Sequence, residues 1–129
     1  MILVDSSGWI EFFTGGPNAD RYAAYLGRSA ELVTPTVVLY EIYKVIKRGR
    51  TEEEALLAVA QIQKTRVVAL SESLALAAAD ASLEHGLAMA DAIVFVTAQS
   101  EEAELVTSDG DLKGLEGVTY IAKGGKRNS

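Results

Sequence analysis

Leu87-Ala-Met-Ala-Asp91-Ala-Ile-Val-Phe-Val-Thr-Ala-Gln-Ser100 runs directly into Glu101-Glu-Ala-Glu-Leu-Val-Thr107-Ser-Asp109-Gly-Asp111. The stretch reads as a loop, an apolar helix, a turn, a short apolar strand and an acidic turn. Asp91 stands where the helix begins, just before Ala-Ile-Val-Phe, and Asp109 stands just past the strand Leu105-Val106. A charge at each edge of an otherwise apolar unit calls for a reason, and two other places in the chain repeat the pattern. Asp5 follows the apolar strand Ile2-Leu3-Val4, and Glu41 lies on a helix among Val37, Val38, Ile42 and Val45.

Outward from that stretch, short apolar strands alternate with helical segments. Trp9, Ile10, Phe12 and Phe13 recur at helical spacing until Gly15-Gly16-Pro17 stops them. Asn18 is placed to cap a helix from Ala19 to about Gly27, and Glu31 to Thr34 reads as a second strand. A helix from about Thr36 to Arg48 follows Pro35, and Thr51 with Glu54 forms a capping box for the next, Glu52 to about Lys64. Arg66 to Leu70 is the third strand, and an alanine-rich helix then runs to His85 with Gly86 as its stop. Glu104 to Thr107 and Val118 to Ile121 are strands four and five. Strands alternating with helices imply an α/β domain with a parallel sheet covered on both faces. Lys123 to Ser129 is Gly-rich and basic, and it is expected to be disordered.

At 129 residues and 49% apolar content, the chain fits one domain with a substantial core. The absence of cysteine removes disulfides, thiolate zinc sites and cysteine nucleophiles. Met1-Ile-Leu-Val-Asp5 has no basic stretch and meets a charge at once, so it reads as a strand rather than a signal peptide. No uncharged apolar run approaches membrane-spanning length, and a cytoplasmic location is expected. Twelve basic against eighteen acidic residues give a net charge of −6, unusual for a general nucleic-acid binder. Two divalent cations would bring −6 to −2 and put positive charge where a phosphate has to go.

Each acid has an ordinary alternative. Asp5 and Asp109 suit turns, Asp91 suits the positive end of a helix dipole, and Glu41 can reach water or pair with Lys44 or Arg48. As a set they point further. Two end strands, where parallel sheets gather ligands, and the other two are within reach if strands one and four are neighbours. Four carboxylates in one crevice repel unless a cation joins them. All-oxygen donors favour Mg²⁺ or Mn²⁺ over Zn²⁺, and such ions bind phosphate, which suggests hydrolysis or transfer at phosphorus. Asp111 is either a fifth ligand or a solvated turn residue. His85, the sole histidine, sits at a helix end and offers little support for a Ser–His–Asp triad through Ser6 or Ser7. Lys44, Lys47, Arg48 and Arg50 either complement a helix dipole or track phosphates.

The sequence resembles a PIN domain, and among those the VapC-type toxins. The resemblance rests on Ile2-Leu-Val-Asp5-Ser-Ser-Gly-Trp9-Ile10, Pro35-Thr-Val-Val-Leu-Tyr-Glu41-Ile, Asp91-Ala-Ile-Val-Phe-Val-Thr-Ala and Leu105-Val-Thr-Ser-Asp109-Gly-Asp111-Leu. It spans residues 1–122, leaving 123–129 as a tail. It implies a five-stranded parallel sheet in order 3-2-1-4-5, which sets Asp5 beside Asp109. It also implies that Asp5, Glu41, Asp91 and Asp109 bind one or two Mg²⁺ or Mn²⁺ ions and cut RNA phosphodiesters, leaving a 5′-phosphate. Ser7 and Thr107 would support the site by hydrogen bonds. Gly110-Asp111-Leu112 departs from the Phe that many relatives carry after the second Asp, a matter of packing more than chemistry. A homodimer and an antitoxin chain are the implied partners. Apolar surface on the Ala19–Gly27 and Thr36–Arg48 helices, including Tyr22, Tyr25, Tyr40 or Tyr43, is the expected docking area for the antitoxin. An RNA-processing PIN nuclease without antitoxin and a non-enzymatic PIN binding module are the alternatives. A haloacid-dehalogenase-type phosphatase needs an Asp where Ser7 stands, and a receiver domain needs paired early acids and a late Lys.

Overall fold

In the computed structural model, residues 1–124 are described, so the tail expected from Lys123 onward lies largely outside the described residues. Five short strands and six α-helices alternate among them. The strands are β1 (Ile2–Val4), β2 (Val33–Pro35), β3 (Arg66–Val68), β4 (Glu104–Thr107) and β5 (Val118–Tyr120). The helices are α1 (Ser6–Phe13), α2 (Ala19–Leu26), α3 (Thr36–Gly49), α4 (Glu52–Ile62), α5 (Glu72–His85) and α6 (Met89–Ser100).

The helix ends follow local chemistry in most places. The Thr51 hydroxyl accepts the Glu54 amide at 3.0 Å, and Ser71 accepts Leu74 at 3.2 Å. Each satisfies one of the free amides of a first helical turn, an interaction whose loss costs about 1 kcal/mol. Gly86 ends α5 with φ +70°, a conformation that costs glycine little. Asn18 departs from expectation. Its side chain makes no cap and instead donates to the Ala122 carbonyl at 2.8 Å, while its backbone amide goes to Glu11 at 2.7 Å. A residue that serves as a cap in sequence is here a tie between the chain's first helices and its last described residues.

The sheet also differs from the single five-stranded ladder expected. β1, β4 and β5 form one parallel sheet, with Leu3 opposite Leu105 and Val106 opposite Thr119. β2 and β3 form a second, and a lone parallel bridge, Ile2 to Leu32, is what joins them. The spatial order 3-2-1-4-5 is kept, but the ladder is broken between β2 and β1. Two causes act together. A 3₁₀ turn (Ser29–Glu31) delays β2 to Val33, and Pro35, which has no amide donor, ends it two residues later. Strands this short, twisted by roughly 20–25° per neighbour, part after one bridge.

The core lies where β1, β2 and β4 meet α3 and α6, with Leu3, Val33, Val38, Ile42, Leu105 and Val106 all buried. α6 is buried from Ala92 through Ala98, which explains an apolar run with no polar face. No single helix among the described residues is long and apolar enough to cross a membrane.

Candidate functional site

Parallel strands β1 and β4 end side by side, so the residues that follow each of them meet. Asp5 leaves β1 buried, at 3% exposure, with its amide still donating to Val106 of β4. Thr107, the last residue of β4, donates its hydroxyl to Asp5 Oδ2 at 2.8 Å. Ser7, in the first turn of α1, donates to the same oxygen at 3.3 Å. The Thr107 hydroxyl in turn accepts the Asp109 amide at 2.9 Å, and Ser7 Oγ accepts the Ser108 amide at 3.0 Å. Asp109 Oδ1 accepts the Asp111 amide at 2.9 Å, which fixes the 3₁₀ turn Gly110–Leu112. Two hydroxyls, those of Thr107 and Ser7, therefore link the turn after β1 to the turn after β4.

Asp91 reaches this cluster from the first turn of α6. One carboxylate oxygen from each of Asp91, Asp109 and Asp111 lies within 4.8 Å of the other two. Glu41, half-buried on α3, feels the charges of both Asp5 and Asp109. Three of the four acids singled out in sequence, Asp5, Asp91 and Asp109, thus act on one another, with Glu41 as the fourth at the edge of the same field. Asp111 is exposed yet belongs to the tightest trio.

The protonation of the cluster follows from burial and like charge. Asp5 is raised above its usual value of 3.8, chiefly by burial, against the lowering effect of the Thr107 and Ser7 hydroxyls and the Ser6 amide. Burial also raises Glu41, with Asp5 and Asp109 adding to it, while Ser6 and the Lys44 charge pull it down. Asp91 is pushed up to about 7 by burial first, then by the charges of the nearby Asp109, Asp5 and Asp111. Among the described residues no Lys, Arg or His makes an ion pair with any of these five acids.

An all-carboxylate donor set with no cationic partner fits a hard divalent ion. Two oxygens held by one Mg²⁺ at about 2.1 Å lie at most about 4.2 Å apart, close to the spacing of the trio. Such an ion would also relieve the like-charge repulsion that favours a proton on Asp91. Asp91, Asp109 and Asp111 are the residues able to grip it directly, with Asp5 braced beneath by Thr107 and Ser7.

Two supports of the site had no separate signal in sequence. Tyr22 is fully buried, and its hydroxyl shares a 2.6 Å hydrogen bond with Ser108. It is therefore lost to the docking surface expected on α2, because its i, i+3 spacing with Tyr25 says nothing about which ring turns inward. Ser108 offered a weak clue as one of three polar residues directly after an apolar strand. A groove of about 450 Å³ between α1, α3 and α4, lined by Phe12, Phe13, Ile46, Leu57 and Ala58, contains none of the carboxylates. Its polar lining includes Arg50 and Glu54, already paired at 3.5 Å, which leaves no reactive group there.

A parallel α/β domain with acids at the adjoining ends of β1 and β4 is the arrangement of a PIN domain. The PIN domain family model matches residues 2–118, and the chain belongs to that family. Among solved structures, it is similar to a toxin–antitoxin complex from Klebsiella pneumoniae, with TM-score 0.78 and 23% identity over 94% of this chain and 100% of that one. Mycobacterium tuberculosis VapC20, a sarcin-ricin loop cleaving toxin, superposes with TM-score 0.73 at 21% identity over 86% and 92%. VapBC2 from Rickettsia felis, bound to a DNA fragment from its promoter, gives TM-score 0.70 at 14% identity over 95% and 99%. At these identities the likeness is one of fold. No curated protein matches the chain by sequence.

Proposed function

We propose that this chain is a divalent-metal-dependent endoribonuclease and the toxin of a toxin–antitoxin pair. The observation that carries the reading is the close trio Asp91, Asp109 and Asp111, with Asp5 and Glu41 within range of its charge and no ion pair from a Lys, Arg or His to any of the five among the described residues. Bound there, Mg²⁺ or Mn²⁺ would supply Lewis acidity at the phosphodiester and a water acidic enough to serve as nucleophile near neutral pH.

The chain's own residues divide the work. Asp91, Asp109 and Asp111 would hold one or two ions through their clustered oxygens. Asp91 would have to give up its proton to act as a ligand, so loading should be easier above about pH 7 than below it. Thr107 and Ser7 fix the Asp5 carboxylate by bonds to Oδ2, leaving Oδ1 free of them for the crevice. Glu41, with its pKa raised by burial, would serve as a nearby proton acceptor during hydrolysis.

The toxin assignment draws on the fold shared with toxin–antitoxin proteins and on the chemistry of the pocket. An acidic crevice invites an arginine or lysine from a second chain, which would pair with the carboxylates and compete with the metal. A homodimer and a cytoplasmic setting accompany this reading. Expression of the chain alone should arrest bacterial growth, and Asp5→Asn should relieve the arrest, as should a small partner protein encoded beside it. Purified protein should cut RNA with Mg²⁺ or Mn²⁺ and stop when EDTA is added. Vigorous growth alongside abundant, nuclease-active protein would discard the toxin and leave an RNA-processing nuclease. Cleavage indifferent to EDTA would discard the metal mechanism.

A further inference from the structure

Four of the twelve basic residues of this acidic chain lie between positions 44 and 50. Lys47 and Arg50 are committed to Glu52 and Glu54, at 3.4 and 3.5 Å. Lys44 and Arg48 are both exposed and make no ion pair among the described residues. The Lys44 ammonium instead lies 5.0 Å from the centre of the Tyr40 ring and 3.3 Å from its hydroxyl, and Lys47 treats Tyr43 the same way at 5.3 and 3.2 Å. Together Tyr40, Tyr43, Lys44, Lys47 and Arg48 line an open groove of about 370 Å³ on α3.

Helix-dipole complementation accounts for Lys47 and Arg48, which occupy the last turn of α3. It does not account for Lys44, since the effect fades within one turn. Nor does it explain Tyr40, which is 59% exposed. Position does. Glu41, Lys44 and Arg48 follow one another at i, i+3 and i+7, which places them on one face of the helix. At about 1.5 Å per residue, Arg48 stands roughly 10 Å beyond Glu41 along the axis. Lys44 stands one helical turn beyond Glu41 on this face, so the basic groove runs along α3 next to that acid.

We propose that this face of α3 is a substrate track, on which Lys44 and Arg48 hold phosphates of a single RNA strand leading away from the scissile bond, while Tyr40 stacks against a base. The proposal rests on the nuclease reading of the crevice and adds the surface that aligns the strand with it. A lysine resting on a ring gives that contact up easily to a phosphate, and base stacking on an open tyrosine tolerates any sequence.

The test measures binding without cleavage. An Asp109→Asn form of the full chain is titrated, without divalent metal, into a fluorescein-labelled single-stranded RNA 12-mer of mixed sequence at several salt concentrations. Adding Lys44→Gln with Arg48→Gln should weaken binding at least tenfold. It should also reduce the slope of log affinity against log salt by about 1.4, the value for two phosphate contacts on a single strand at about 0.7 each. Tyr40→Ala should weaken binding severalfold and Tyr40→Phe should not. Arg28→Gln, at the opposite end of the strands, should leave binding unchanged. Melting temperatures identify any variant that fails to fold, and the single substitutions then replace the pair. Unchanged affinity and slope in the double variant overturn the track, as does an equal loss in Arg28→Gln or a parent that does not bind the strand. Intact RNA binding with lost capture of a polyglutamate peptide assigns the groove to an acidic protein instead. Hydrolysis by the unsubstituted chain is measured separately: cleavage with unaltered binding in the variants rejects the track alone, and strand binding without metal-dependent cleavage rejects the nuclease alone.

Discussion

Burial, and after it the charges of Asp109, Asp5 and Asp111, pushes Asp91 up to about 7. Between its usual value of 3.8 and about 7, the folded chain therefore holds a proton that the unfolded chain has released. Stability must fall as pH rises through that window, because the folded state binds the more protons. Asp5 and Glu41, also raised, act with the same sign. In EDTA, the melting temperature of the native chain should drop from pH 4.5 to pH 8 relative to Asp91→Asn. Millimolar Mn²⁺ should remove most of that difference. Parallel curves for the two proteins in EDTA would show that Asp91 bears no such strain. Thr107 allows a sharper test. Valine has nearly its shape but can neither donate to Asp5 nor accept from Asp109. Thr107→Val should lower cleavage about 10- to 100-fold, the usual effect of removing a group that orients ligands, while Thr107→Ser keeps most of it. Equal activity in the two variants would mean the hydroxyl has no part in arranging the acids.

At the scale of elements, α1 sits against β1 and α2 because residue 8 has no side chain. A Cβ there would stand 2.2 Å from the Tyr22 ring and 2.7 Å from Val4 Cγ1. Tyr22 cannot move off without giving up Ser108, so Gly8→Ala should cost about 1–3 kcal/mol in denaturant melts. Gly49→Ala at the end of α3, with nothing within 4 Å, should be neutral or stabilising by up to about 1 kcal/mol. A Gly8→Ala protein as stable as the native one would mean that α1 can lift away from α2 freely. Such close approaches mark what the sequence could and could not express. The strand–helix alternation, the Thr51 cap and the glycine stop at 86 are local, and short-range sequence pattern reads them directly. Asp5 and Asp109 follow apolar strands and Asp91 lies in the first turn of an apolar helix, a local pattern that marks one end of the sheet, whereas Glu41 stands inside α3 and its bearing on the others depends on how that helix packs. The Ile2–Leu32 bridge, the inward turn of Tyr22 and the Asn18 tie to Ala122 depend on partners 30 to 104 positions away. No local pattern encodes such pairings. Asp111 was ambiguous for a related reason: its reach toward Asp91 depends on how a 3₁₀ turn packs beside α6.

For the whole molecule, binding that favours the folded form raises its stability by about 2.7 kcal/mol at a hundredfold excess over Kd. Mg²⁺ or Mn²⁺ should therefore raise the melting temperature of the native chain, and much less that of Asp5→Asn or Asp109→Asn. His85→Ala should show the native shift and native cleavage, since His85 meets the Phe95 ring edge-on at 5.6 Å and is not among the clustered acids. Equal shifts in all four proteins would place the ion elsewhere. The bond from Thr107 to Asp5 spans 102 positions, and that separation also orders events in time. During synthesis the amino-terminal carboxylate emerges first and waits for residues 104–111 before its pocket has a second wall. At about 5–20 residues per second, roughly 5–20 s pass between the two. On the proposed nuclease reading, a growing chain on the ribosome, itself built of RNA, would have no complete site until β4 and the turn after it are in place, and a chain stopped at Ser100 should neither load Mn²⁺ nor cut.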